Sequence, residues 1–236
     1  MYHLVFALLL AANAYAIDLS KAVIVVRPGT LPAPETTAAT VLADELQQRS
    51  GVRPKITTEW PRSGVTIALT STPQVPNWPI PIPAVPNQTD AFHLKIENNI
   101  IWIHAANPRG LIYGVGHLLR HLENKHDLPA NIDVTTAPKL PIRGHQLGYR
   151  HTNNTWDAWT VAQFEQYIRE LTLFGMNAVE GIPFFEEKPS PHQKLPNREM
   201  NRAITAICAR YGLDYWIWAP VQFDPANQTK AAAYLD

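Results

Sequence analysis

Apolar positions along this chain follow two spacings, and the changes from one to the other mark out its elements. The β-branched run 22–26 predicts a strand, and Pro28 to Pro34 break it. Ala38, Val41, Leu42 and Leu46 then recur at helical spacing, with Glu35 suited to the first turn and Gly51 to a left-handed stop. Further strands are predicted at 55–58, 65–70, 91–96 and 100–104, with Asn98-Asn99 as the hairpin turn between the last two. The proline-rich stretch from Thr72 to Asn87 excludes regular structure and predicts an extended surface loop. A second helix opens with Asn107 as cap and Pro108 in first position, then places Leu111, Val115, Leu118, Leu119 and Leu122 on one face. Gly110 and Gly114, also on one face, let that helix lie close against a sheet.

The pattern changes near Pro138 to Pro141. Strands are predicted at 142–149, 177–182 and 213–220, separated by helices at 160–174 and 197–211. Thr160 with Gln163 makes a capping box, and Gly175 and Gly212 close the two helices. Strict β-α-β-α-β alternation is the pattern of a parallel sheet flanked by helices, which barrels and open doubly wound sheets both satisfy. The fold class is therefore α/β. An N-terminal α+β layer domain of order β-α-β4-α comes first, and three β/α units follow.

Composition narrows the choice of partner. Lys plus Arg and Asp plus Glu number 20 each, so no electrostatic drive toward nucleic acid or an anionic membrane exists, and uncharged polar ligands fit better. The apolar run from Leu4 to Ala12 followed by Ala14-Tyr15-Ala16 predicts a signal peptide over residues 1–16, with export to the exterior or periplasm. A retained anchor is the alternative. Cys208 is the one cysteine, so no intramolecular disulfide forms, and its place on an apolar helix face predicts a buried, inert thiol. Asn87, Asn153 and Asn227 begin glycosylation sequons, which matter only in a eukaryotic host.

The segment Asn107-Pro108-Arg109-Gly110-Leu111-Ile112-Tyr113-Gly114 resembles the opening of the last helix in a particular accessory domain. That domain precedes the barrel in glycoside hydrolase families 20 and 67, the β-hexosaminidases and α-glucuronidases. The helix from Glu35 to Leu46 is similar to the same domain's first helix, and Arg143-Gly144 resembles the pair that begins barrel strand 1 in family 20. Gly148 stands where family 20 has an aspartate, which leaves related barrel families open. The resemblance implies an accessory domain over residues 17–138 and a partial (β/α)8 barrel over 139–236. A whole TIM-type barrel takes about 250 residues, so the chain is expected to be truncated. The resemblance also implies carboxylate-assisted hydrolysis of a polysaccharide or glycan, with the catalytic acids on later strands, beyond Asp236.

Barrel enzymes place their chemistry at the C-terminal ends of strands, which singles out five candidate sugar-binding residues. By resemblance, Arg143 is the family 20 arginine that hydrogen-bonds sugar hydroxyls; the alternative is a structural arginine at the barrel floor. Tyr149 and Arg150 lie nearer the expected site end. Glu180 ends an apolar run, where a buried acid needs a ligand or an ion-pair partner such as Arg150. Trp218 shares a strand face with Trp216, and indole rings offer sugars a flat apolar surface with a polar edge.

Three other features carry less. Glu186 and Glu187 are a conspicuous carboxylate pair, but neighbours on an irregular loop point apart into solvent. His117 and His121 have the spacing of a zinc pair, yet Leu118 stands where a metalloprotease keeps its general base. No nucleophile elbow, phosphate-binding loop or Cys-x-x-Cys occurs, and no metal or cofactor is expected. The leading expectation is the front part of an exported glycoside hydrolase, inactive by itself. A non-catalytic carbohydrate-binding or scaffolding protein is the rival, and an open flavodoxin-like sheet a third reading.

Overall fold

The computed structural model describes residues 16–123, 126–147, 155–181, 192–217, 224 and 226–235. Strand β1 (Ala16–Asp18) begins it, and the first β-branched run becomes β2 (Val23–Val26). Helix α1 (Ala33–Ser50) follows and stops at Gly51 with φ 80°, the left-handed region that a glycine enters without cost. β3 (Lys55–Thr57) and β4 (Thr66–Thr70) flank β2 on either side, both parallel to it. Next come β5 (Phe92–Glu97) and β6 (Ile100–Ala105), an antiparallel hairpin whose turn residues Asn98 and Asn99 have φ of 51° and 63°. Those angles are what a two-residue type I′ turn requires.

Helix α2 (Pro108–Arg120) starts where Asn107 accepts the Gly110 N–H at 3.0 Å. The chain then makes β7 (Asp127–Pro129) and β8 (Asp133–Thr136). The main sheet has order β3-β2-β4-β6-β5-β8, while β1 and β7 form a separate two-stranded ladder. α1 and α2 pack together on one face of the main sheet. Fully buried Ile24, Leu42, Ile67, Leu94, Ile103 and Leu111 form its core, each contributing about 1.5–3 kcal/mol relative to exposure. On the other face Trp102 packs with Trp60 and Trp78, at centroid separations of 5.7 and 5.8 Å.

The second half holds β9 (Gly144–Gln146), α3 (Val161–Leu173), β10 (Ala178–Glu180), α4 (Asn197–Tyr211), β11 (Asp214–Trp216) and α5 (Gln228–Leu235). The three strands are parallel and adjacent in sequence order. α3 and α4 pack against each other, α2 packs on α3, and α1 packs on α4. The core therefore continues across the junction, with Phe164, Ile168, Met200, Ile204 and Tyr211 in the same apolar cluster as Leu42 and Leu111. Gly116 sets how closely the halves approach: a Cβ there would lie 1.9 Å from the Leu173 carbonyl oxygen. Cys208 is buried in this cluster, and burial pushes its thiol up to about 12.

Three short strands go beyond the sequence expectation. β1, β7 and β8 are three or four residues long. Two of them pair only with each other and the third sits on a sheet edge, positions that leave little period-two pattern to find. Strands β9 to β11 are also shorter than their predicted spans. Ile142 is exposed rather than in a ladder, and the Arg143 N–H is taken by the Asn177 side chain at 2.7 Å. Among the described residues no helix is long and apolar enough to cross a membrane.

Candidate functional site

Register decides which side chains meet on the three-stranded sheet, because partnered residues of parallel strands share a face. His145, Val179 and Tyr215 are partners and face the helices. The His145 Nδ1 lies 2.8 Å from the Tyr167 hydroxyl of α3, and the Tyr215 hydroxyl donates to Asn201 Oδ1 of α4 at 2.5 Å. Gln146, Glu180 and Trp216 are the next set of partners. They therefore form a row on the opposite face, turned away from α3 and α4, at the C-terminal ends of their strands. Trp216 is 53% exposed there. Neighbouring strands lie about 4.8 Å apart, so an amide, a carboxylate and an indole stand side by side. This set offers hydrogen-bond donors and acceptors beside a flat apolar plane, the chemistry that a sugar ring with its hydroxyls requires.

An aromatic layer supports the row from behind. Trp156, in the 3-10 turn Thr155–Ala158, packs on Trp159, and Trp159 meets the Tyr167 ring edge-on at 5.2 Å. Tyr167 in turn holds His145. The capping box of α3 fixes where this layer starts, since Thr160 and Gln163 each accept the other's backbone N–H.

At the other end of the strands lies a charged junction. Arg143 precedes β9 and donates to Asp90 Oδ2 at 2.7 Å, to the Gly175 carbonyl at 2.7 Å and to the Leu140 carbonyl at 2.8 Å. Arg109 grips the same carboxylate through Nε and Nη2, both at 2.9 Å, and reaches the Gly212 carbonyl at 2.8 Å. Asp90 is 3% exposed. Burial alone would raise its carboxyl, but hydrogen bonds from Arg109, Arg143 and Asn107 outweigh burial and hold it below the usual carboxylate range. Tyr113 donates to the Met176 carbonyl at 2.9 Å, and its hydroxyl is pushed up to about 12, chiefly by burial. Beside this network, Asp90, Tyr113, Arg120, Arg143 and Phe174 line a cleft of about 410 Å³.

The structure thus brings Glu180 beside Trp216 and places Arg143 at the opposite strand end. Gln146 lies three positions beyond Arg143, about 10 Å along an extended chain. Tyr149, Arg150 and Trp218 lie outside the described residues, as do Glu186 and Glu187. Sequence reasoning missed Gln146 and Asp90. Gln146 was accessible to it, since a polar residue two positions after Gly144 falls on the same strand face. Asp90 had no signal, because its partners are 19 and 53 positions away. His117 and His121 stack at 4.8 Å, with His121 Nδ1 against the His117 carbonyl at 2.9 Å.

Comparison with known proteins gives the family and the fold. The family described as glycosyl hydrolase family 20, domain 2, matches residues 9–143, more than half of the chain. No curated protein matches it by sequence. Among solved structures, a family GH115 4-O-methyl-α-glucuronidase with specificity for decorated arabinogalactans superposes with a TM-score of 0.65 at 17% identity. That match covers 93% of this chain and 34% of the other. The GH20 exo-β-N-acetylglucosaminidase of Vibrio harveyi, in complex with N-acetylglucosamine, gives 0.58 at 16% identity over 85% of this chain and 33% of its own. A mutant Streptomyces plicatus β-hexosaminidase, in complex with the product GlcNAc, gives 0.58 at 16% over 85% and 42%. At these identities the likeness is one of fold, and the chain spans 33% to 42% of the three solved structures.

Proposed function

The chain belongs to the family described as glycosyl hydrolase family 20, domain 2, and we propose that it forms the front end of an exported glycoside hydrolase. In this reading residues 1–16 are a signal peptide, 17–138 the accessory domain, and 139–236 the first three β/α units of a (β/α)8 barrel. The observation that carries it is strand order. β9, β10 and β11 neighbour each other in sequence order, and the helices between them pack together behind the sheet. An open doubly wound sheet would instead reverse its order at a switch point and place helices on both faces.

If the sheet is a barrel start, ligands meet its C-terminal strand ends, where Gln146, Glu180 and Trp216 form their row. Tyr149, Arg150 and Trp218 belong to the same end by sequence, each two to four residues past a described strand. Glu180 and Arg150 orient hydroxyls, and the tryptophans stack on the ring. Arg143 acts from the floor, tying β9 to the accessory domain. In this reading the catalytic carboxylates come from later strands, beyond Asp236, and the 236-residue chain is inactive by itself.

Expressing the coding sequence through and past Asp236, beside the 236-residue chain, tests this. Both products are assayed on an aryl β-N-acetylglucosaminide and on a glucuronide-decorated arabinogalactan. The longer product alone should release sugar. A folded longer product inert on both, or equal release by the 236-residue chain, sinks the reading.

A further inference from the structure

Asp18 and Asp127 stand directly opposite each other in the β1–β7 ladder, a placement in which two carboxylates repel. His126 precedes Asp127, and a regular strand would send the two side chains to opposite faces. Here the turn at His126 folds its ring back toward both acids. Its Nε2 lies 3.7 Å from Asp18 Oδ1 and 3.8 Å from Asp127 Oδ1, too far for a hydrogen bond to either. One ligand atom from each of the three residues lies within 4.8 Å of the other two. Three N and O ligands at about 2.1 Å from a shared ion stand roughly 3–4 Å apart, and the two separations from His126 fall in that range.

We propose that Asp18, His126 and Asp127 form a binding site for a divalent transition-series cation, with Zn²⁺ as its best fit. One imidazole nitrogen with two carboxylate oxygens suits Zn²⁺ or Mn²⁺, whereas Ca²⁺ takes six or more oxygens and disfavours nitrogen. The Asp18 side chain and the His126 backbone are already tied to the fold. Asp18 accepts the Ser20 N–H at 2.7 Å and the Ser20 hydroxyl at 2.8 Å. The His126 carbonyl accepts the Leu19 N–H at 2.9 Å, which holds the histidine beside the aspartate. Among the described residues no other group of three such side chains converges. Three protein ligands leave at least one position for water.

The ion would act as a staple. β1 is a three-residue strand paired with β7 alone, and a cation shared by Asp18 and Asp127 replaces their repulsion with a cross-strand link. Binding then couples to folding, since the unfolded chain separates the ligands by more than a hundred residues. This site lies apart from the β9–β11 strand ends and stands whether or not the chain belongs to a longer hydrolase.

Titration of the chelator-treated 236-residue chain with ZnCl₂ at pH 7, followed by calorimetry and thermal melting, tests the site. One Zn²⁺ per chain should bind and raise Tm by a few degrees, with CaCl₂ giving no comparable shift. His126→Ala and Asp127→Asn, each checked for a cooperative melt, should weaken binding at least tenfold. His117→Ala with His121→Ala should leave it unchanged. Absence of binding, binding that survives both His126→Ala and Asp127→Asn, loss of binding in the His117/His121 variant, or a preference for Ca²⁺ each overturns the proposal.

Discussion

Arg143 reaches across the junction between the two halves to Asp90 at 2.7 Å, and Arg109 holds the same carboxylate from its own side at 2.9 Å. One buried acid thus neutralises two half-buried guanidinium groups from different elements. Removing its charge leaves both uncompensated. Asp90→Asn keeps the shape and should destabilise the chain by roughly 3–5 kcal/mol, the range for breaking a buried pair at one end. Urea unfolding measures it. A loss under about 1 kcal/mol would mean that solvent screens the network.

The close passage of α2 over α3 makes a second test. A methyl at position 116 meets the backbone carbonyl of Leu173, which cannot rotate away as a side chain would. Gly116→Ala should cost roughly 1–3 kcal/mol by overpacking, although alanine is the better helix former. Should Tm rise instead, the helices have room that the geometry denies.

Stability should also depend on pH through two histidines. Burial lowers the His104 ring below its ordinary 6.5, partly offset by the Pro83 carbonyl, and burial with His121 and Arg120 lowers His117 likewise. The unfolded chain therefore binds more protons in the window between the lowered values and about 6.5. Their contribution is complete above about pH 6.5 and is lost as pH falls through the folded values. Asp90, also lowered, extends the loss to more acid pH. His104→Gln should flatten the melting profile between pH 7 and 5; an unchanged slope would assign the dependence elsewhere.

Local chemistry made much of this fold legible. Gly51, Asn98-Asn99, Asn107 and the Thr160–Gln163 box act within a few residues of themselves, and each sits in the structure where its chemistry requires. The pairing of β1 with β7 and the Asp90 network were not legible, because their partners are brought together only by tertiary packing. The same distinction applies to the site. Alternation put Trp216 and Trp218 on one face and the end of an apolar run singled out Glu180, but only register shows that Gln146, Glu180 and Trp216 stand in one row. Arg143 illustrates the limit: its motif points to sugar, while its contacts are with Asp90 and backbone carbonyls.

Export gives a further expectation. Protein recovered from an exporting host should begin at Ile17, after the Ala14-Tyr15-Ala16 motif. Cleavage there keeps Ile17 and Asp18, two of the three residue pairs of the β1–β7 ladder. Mass spectrometry of the secreted product checks this, and an intact Met1 on exported material would refute it.

The two ends of the three-stranded sheet can be told apart by how activity and stability move together. Glu180 lies at the C-terminal end, on the strand face opposite to the one that Val179 turns toward α3 and α4. If the chain is the front end of a longer hydrolase, Glu180→Gln in that enzyme should remove a charge-assisted hydrogen bond to a sugar hydroxyl, worth about 1.5–3 kcal/mol. That loss weakens kcat/KM about ten- to a hundredfold, while Tm stays within a degree or two of the parent. Trp216→Ala should act mainly on KM, because a stacking surface binds ground state and transition state alike. Arg143→Lys at the floor should do the reverse. A lysine cannot reproduce the fork that reaches Asp90, Gly175 and Leu140 together, so Tm should fall and activity should follow only as far as unfolding carries it. If Glu180→Gln instead loses its fold in step with its activity, the acid is a structural partner and the sugar row lies elsewhere. If Arg143→Lys melts like the parent but loses turnover, the arginine reaches substrate.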